Sequence, residues 1–112
     1  MNVNQIQTEN NLIREDGAKM SDLSFTRIEG YDVSIYRRNG IETMFIFKDN
    51  SNTIITMTKT AKKDPKKVEE INTNNKNIYA SYEDGRIVLT MECKNEDAVN
   101  LYKLGCSLLN TF

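Results

Sequence analysis

The chain has 112 residues, 38% hydrophobic and 28% charged, with 15 basic and 16 acidic side chains and a net charge of −1. That size fits one globular domain, and the charge balance supplies no global field to draw nucleic acid or an anionic membrane surface. The longest apolar runs, such as Met44 to Phe47, fall far short of the roughly 20 residues of a membrane span.

The start of the chain is polar (Asn2, Asn4, Gln5, Gln7) and has no signal-peptide core, so a cytoplasmic location is expected. The basic cluster Lys59, Lys62, Lys63, Lys66 and Lys67 runs straight into Glu69 and Glu70, which favours a solvated loop and helix start over a nucleic-acid contact. Cys93 and Cys106 read as reduced core residues rather than a disulfide, because free cysteine behaves as a small buried hydrophobe.

Residues 1–22 read as a polar N-terminal extension, either disordered or a weak helix over about Gln5–Glu15 closed by Gly17. Translation from Met20 is an open alternative, since Arg14-Glu15-Asp16 can be encoded by a purine-rich, ribosome-binding-like stretch. Residues 23–112 read as a single α+β domain. The β signal begins near Leu23 and is strong from Tyr31, where Tyr31, Val33 and Ile35 alternate with Asp32, Ser34 and Tyr36. Asn39-Gly40 suits a type I′ hairpin turn. The return strand, Ile41 to Lys48, has Phe45 and Phe47 on one face and Met44 and Ile46 on the other, which predicts an inner strand partly covered on both sides. Asp49-Asn50-Ser51-Asn52 is a turn cluster, and Thr53 to Thr60 is a β-branched strand.

The period then changes. Asp64-Pro65 suits a helix start, with Val68 and Ile71 facing the sheet. A second hairpin follows, Ile78 to Tyr82 and Ile87 to Glu92 around Asp84-Gly85. Asn95 is a plausible N-cap for a helix over Asn95 to Thr111. Its apolar arc is roughly 220° at 100° per residue, wider than the roughly 100° stripe that one sheet face requires. The predicted architecture is therefore an antiparallel sheet of about five strands in the order (α)-β-β-β-α-β-β-α, with the long C-terminal helix on one face. Leu104 and Leu108 lie on the margin of that arc. Either the N-terminal segment covers them or a partner does, and a partner or second copy is the leading expectation.

The chain has no histidine, which removes the usual Ser-His-Asp and Cys-His nucleophilic sites and most catalytic zinc sites. No phosphate-binding glycine loop is present. The carboxylate pairs Glu15/Asp16, Glu69/Glu70, Glu83/Asp84 and Glu96/Asp97 suit capping and solvation better than acid–base work. Neither a catalytic residue, a metal site nor a cofactor is predicted. Arg37 and Arg38, with Lys59, could hold an anion. Tyr36 and Tyr79 could form a binding patch or pack across strands.

From Lys67 to Phe112, the run Val68-Glu69-Glu70-Ile71-Asn72, Asn74, Asn77-Ile78-Tyr79 and Asp84-Gly85-Arg86-Ile87-Val88-Leu89 resembles the type III secretion chaperone-like fold and, within it, the YbjN-like family. The resemblance implies a homodimer that binds polypeptide on an apolar surface. Together these features predict a non-catalytic, chaperone-like or adaptor module whose partner is another polypeptide. The candidate surfaces are Leu104 and Leu108 on the last helix and Tyr36, Met44 and Ile46 on the first hairpin. Two alternatives stay open: a small phage or mobile-element protein that inhibits a host factor, and an anionic-ligand sensor or sponge.

Overall fold

The structure, a computed structural model, describes residues 2–49 and 51–112; Asn50 of the predicted turn cluster lies outside them. It is an α+β fold with a six-stranded antiparallel sheet. In chain order the elements are α1 (Val3–Asp16), β1 (Leu23–Ile28), β2 (Tyr31–Arg38), β3 (Ile41–Phe47), β4 (Asn52–Thr60), α2 (Pro65–Asn74), β5 (Ile78–Glu83), β6 (Arg86–Lys94) and α3 (Ala98–Leu109). The sheet order is β1-β2-β3-β4-β6-β5, so α2 carries the chain past the position of β6 to the outer strand β5.

The sheet thus has six strands rather than about five. The additional strand is β1, joined to β2 by a tight turn at Glu29-Gly30. Three two-residue hairpin turns share one geometry: Glu29 (φ 52°) with Gly30 (85°), Asn39 (53°) with Gly40 (79°), and Asp84 (51°) with Gly85 (78°). Asn and Asp enter the left-handed region at little cost, whereas glutamate rarely does. That difference is why the second and third turns are readable in the sequence and the first is not.

All three helices lie on one face of the sheet: α1 over β2, α3 over β4 and β6, and α2 over β5. The core between them holds Leu12, Tyr36, Phe45, Ile55, Met57, Ile87, Leu89, Met91, Tyr102 and Leu109. Gly105 brings α3 close to the strands, since a Cβ there would sit 2.3 Å from Met57 Sδ. The C-terminal helix packs on the sheet as expected, but Asn95 is not its cap. Residues Asn95–Asp97 form a 3-10 turn, and the Asn95 amide oxygen accepts a hydrogen bond from Thr53 Oγ1. At α2 the predicted cap is present, with Asp64 Oδ1 accepting from Lys67 N at 3.2 Å.

The N-terminal residues are more than an extension. They form a 14-residue helix whose Gln5, Thr8 and Leu12 are buried against the sheet and α3. Gly17, at φ 68°, caps it as expected. α1 lies beside α3, with Asp16 at its end meeting Tyr102, and α2 lies next to Leu108. Leu109 is fully buried and Leu101 and Leu108 are half-buried, so only Leu104 stays open, at 41%.

The strained turn gives a direct check on this topology. Replacing Glu29 with Asn removes most of the cost of a left-handed glutamate, so Glu29→Asn is expected to stabilise the chain by roughly 0.5–1 kcal/mol. Chemical denaturation measures it; an unchanged or lower midpoint contradicts the turn assignment.

Candidate partner surface

One polar constellation converges inside the helix-covered layer. Asp16, at the end of α1, accepts hydrogen bonds through Oδ2 from Tyr36 Oη (2.7 Å) and Tyr102 Oη (3.2 Å), and from Arg38 Nη1 (3.1 Å). The Tyr102 ring packs at 5.5 Å from Tyr36 and 5.9 Å from Phe45, centroid to centroid. A carboxylate at a helix C-terminus opposes the helix dipole; here the guanidinium and two hydroxyls offset that penalty. Burial and the neighbouring Asp16 hold the Tyr36 hydroxyl above its ordinary value, and burial raises Tyr102 further. The group works as a clasp that ties α1, β2 and α3 together.

The clasp redraws several sequence-based expectations. Tyr36 is not a surface residue; it is buried on the helix side, because Ser34 and Tyr36 rather than Val33 and Ile35 face α1. Tyr79 lies on the opposite side of the sheet, so the two tyrosines form no common patch. Arg37, Arg38 and Lys59 do not assemble an anion site, because each is already engaged. Arg38 holds Asp16, and Arg37 pairs with Glu42 at 2.8 Å on the other face. Lys59 Nζ donates to the carbonyls of Leu109 (3.1 Å) and Phe112 (3.2 Å), closing the end of α3. Lys67 from the same basic cluster lies over the Phe112 ring. Leu104 stands alone and Leu108 lies against the α2 side, next to Ile71. A single exposed leucine is ordinary on a soluble surface.

Met44 and Ile46, in contrast, sit on a surface that no element covers. Strand register places three rows across this second face. One reads Thr26, Val33, Ile46, Ile54, Glu92; the next Ser24, Ile35, Met44, Thr56, Thr90, Tyr79; the third Arg37, Glu42, Thr58, Val88, Ser81. Its centre is apolar, formed by Val33, Ile35, Met44, Ile46 and Ile54, with threonines beside them. Ile28 and Tyr31 extend it toward β1. β3 is an inner strand, as expected, with Phe45 and Phe47 buried under helices and Met44 and Ile46 partly buried by their neighbours in the sheet rather than by a helix. Ion pairs stand at opposite ends of the apolar centre, Arg37–Glu42 at one and Lys48–Glu92 (3.7 Å) at the other. Where β5 begins, the face runs into a cleft of about 480 Å³ lined by Ile54, Asn75, Tyr79, Thr90 and Glu92.

Among the described residues no group of three or more Cys, Asp and Glu side chains could hold a metal, and no helix is long and apolar enough to cross a membrane. Both cysteines are free and half-buried. Compared with family models, curated proteins and solved structures, the chain finds no match.

Burial raises the Cys93 thiol from 9.0 to about 11, with Asp97 and Glu92 adding to it, and burial also raises Cys106. Between those pH values the unfolded chain releases protons that the folded chain keeps, so stability is fully present below about pH 9 and falls as pH rises through 11. Thermal unfolding followed from pH 7 to 11 is expected to show this fall, and Cys93→Ala to flatten it. An identical slope in the variant contradicts the assignment.

Proposed function

We propose that the chain is a non-catalytic polypeptide-binding module, chaperone-like or adaptor in kind, which receives an apolar segment of another polypeptide on the uncovered sheet face. A single observation carries this reading. The helices occupy one side of the sheet only, while the other presents a continuous apolar centre of partly exposed Ile35, Met44, Ile46 and Ile54 around the buried Val33. Apolar side chains that gather in one place, rather than being scattered singly, are what an interaction surface offers.

Several features support a polypeptide as the occupant. The face runs across the strands of the sheet, long enough for an extended or helical segment. Its charges are paired off at the two ends, so the centre offers area rather than a point charge. The cleft beside Tyr79 can take one large side chain of the bound segment, and aromatic anchors in such pockets carry much of the energy of peptide recognition. The resemblance to the type III secretion chaperone-like fold points the same way.

An array of short peptides rich in alternating apolar residues, probed with the labelled full-length chain, tests the proposal. The wild type is expected to bind a subset of them. Met44→Lys and Ile46→Lys, singly and together, are expected to weaken binding by at least roughly tenfold. Their Tm is expected to stay within a few degrees of wild type, because the side chains are only half-buried. A wild type that retains no peptide, or variants that bind as well as it does, overturns the reading.

A further inference from the structure

We propose that β1 pairs antiparallel with β1 of a second copy of this chain, joining two six-stranded sheets into one continuous sheet. The proposal deepens the polypeptide-binding reading by giving a homodimer its seam, and it leaves the uncovered face free in both copies.

The two edges of the sheet are finished differently. At β5, Asn72 of α2 serves as a substitute strand: its Nδ2 donates to Ala80 O at 2.9 Å and its Oδ1 accepts from Ala80 N at 2.7 Å. The outer edge of β1 has no such cover. In a two-residue hairpin the pair flanking the turn is hydrogen-bonded and bonding alternates from there. Ile28, Thr26 and Ser24 therefore bond to β2, and the peptide groups of Leu23, Phe25 and Arg27 point outward. Leu23 N–H is taken by Met20 O. Among the described residues no hydrogen bond reaches the outward groups of Phe25 and Arg27. Edges of this kind are normally blunted by proline, lysine or a bulge. β1 has none of these, and its one cation, Arg27, is turned back onto Gly30 O (2.9 Å) and Asp32 (3.7 Å).

The helix above this edge is oriented for a partner. At 100° per residue Gln5, Thr8 and Leu12 fall together on the buried side of α1, while Val3, Ile6 and Ile13 fall together on the outer side. All three outer residues are exposed. Glu15 reaches Lys103 of α3 from the flank opposite Ile6 and Ile13, so these two overhang β1. Beneath them Phe25, which shares the helix-side face with Ser34, is 50% exposed, and Met20 at the end of the strand is 75% exposed.

A second copy fits this edge. With the twofold axis perpendicular to the sheet, paired residues must share a face. Centring the axis on Phe25 then sets Phe25 against Phe25, Leu23 against Arg27, and Ile6 of one α1 near Ile13 of the other. The two α1 axes would lie three strand spacings apart, about 14 Å. Helices in direct contact pack at roughly 8–10 Å, and the pair of phenylalanines below fills the remaining gap. Taking roughly 150–250 Å² for a fully exposed large side chain, Ile6, Ile13, Met20 and Phe25 offer roughly 300–500 Å² per copy. A stable interface of roughly 800 Å² per partner, somewhat over half of it apolar, needs about that much.

Sedimentation velocity of the full chain over a concentration series tests the seam. Phe25→Pro removes the outward N–H together with the ring and spares the β1–β2 ladder, and Phe25→Lys places charge on the axis. The wild type is expected to sediment as a dimer, both variants to weaken it by roughly 100-fold, and Phe25→Cys to give a disulfide-linked dimer that Thr90→Cys does not. Circular dichroism at high dilution checks that the variants fold. A wild type that stays monomeric, or a dimer indifferent to Phe25, overturns the seam. So does a dimer broken by Met44→Lys and Ile46→Lys instead, which would place the second copy on the uncovered face. Peptide binding by a strict monomer would sink the seam alone, whereas a β1-dependent dimer that binds no peptide would sink only the functional reading.

Discussion

Six strands at roughly 4.8 Å make a sheet about 29 Å wide, and three helices of roughly 10 Å diameter laid abreast span about the same width. The helices of this chain are therefore enough to roof one side of its sheet, and the connections bring all of them to that side. Every later feature follows from this limit. The roofed side closes into a dense core around Phe45, Ile55, Met57, Leu89 and Leu109, all fully buried. The other side has only its own side chains for shelter, which is why Met44, Ile46 and Ile54 stay partly open.

The clasp at Asp16 decides how the roof is held. The buried surface of α1 is largely polar, with only Leu12 as a large apolar contribution, so burial alone anchors it weakly. Specific bonds do the rest: Gln5 and Glu9 to Ser34, and Asp16 to Tyr36, Arg38 and Tyr102. Hydrogen bonds to a charged acceptor contribute roughly 1.5–3 kcal/mol each when well sheltered, though the half-exposed Arg38 adds less than that. The same arrangement leaves the apolar residues of α1 facing outward, next to the free edge of β1. Two open surfaces, one flat and one at an edge, thus arise from one economy of cover.

Much of this was legible in the residues. Alternation, the β-branched run from Thr53 and the Asn39-Gly40 and Asp84-Gly85 turns locate five of the six strands, Asp64-Pro65 locates α2, and the periodic leucines locate α3. β1 is hard to read because Glu29, at the first turn position, is not a residue that favours positive φ and because its side chains are mostly exposed. The packing of α1 escaped because its pattern is inverted: Gln5 and Thr8 are inside, and Val3, Ile6 and Ile13 are outside. Helical periodicity assigns the apolar side inward, and only the partners on β2 reverse that. Of the apolar surfaces that the sequence marks out, Leu108 lies against α2 and Leu104 stands alone, whereas Met44 and Ile46 fall together on the face without helices. Strand parity does not say which face of β2 meets the helices, so Tyr36 passed for a surface residue.

The asymmetry of the sheet can be read from its methionines. Met44 faces the uncovered side, Met57 and Met91 are buried beneath the helices, and Met20 lies in the open. Mild peroxide oxidation of the dilute native chain, followed by peptide mass spectrometry, ranks them directly. Met20 is expected to oxidise fastest and Met44 next, with Met57 and Met91 protected until the chain unfolds. Met44 as slow as Met57 would mean that the lone chain shelters its second face, contradicting an open sheet surface there.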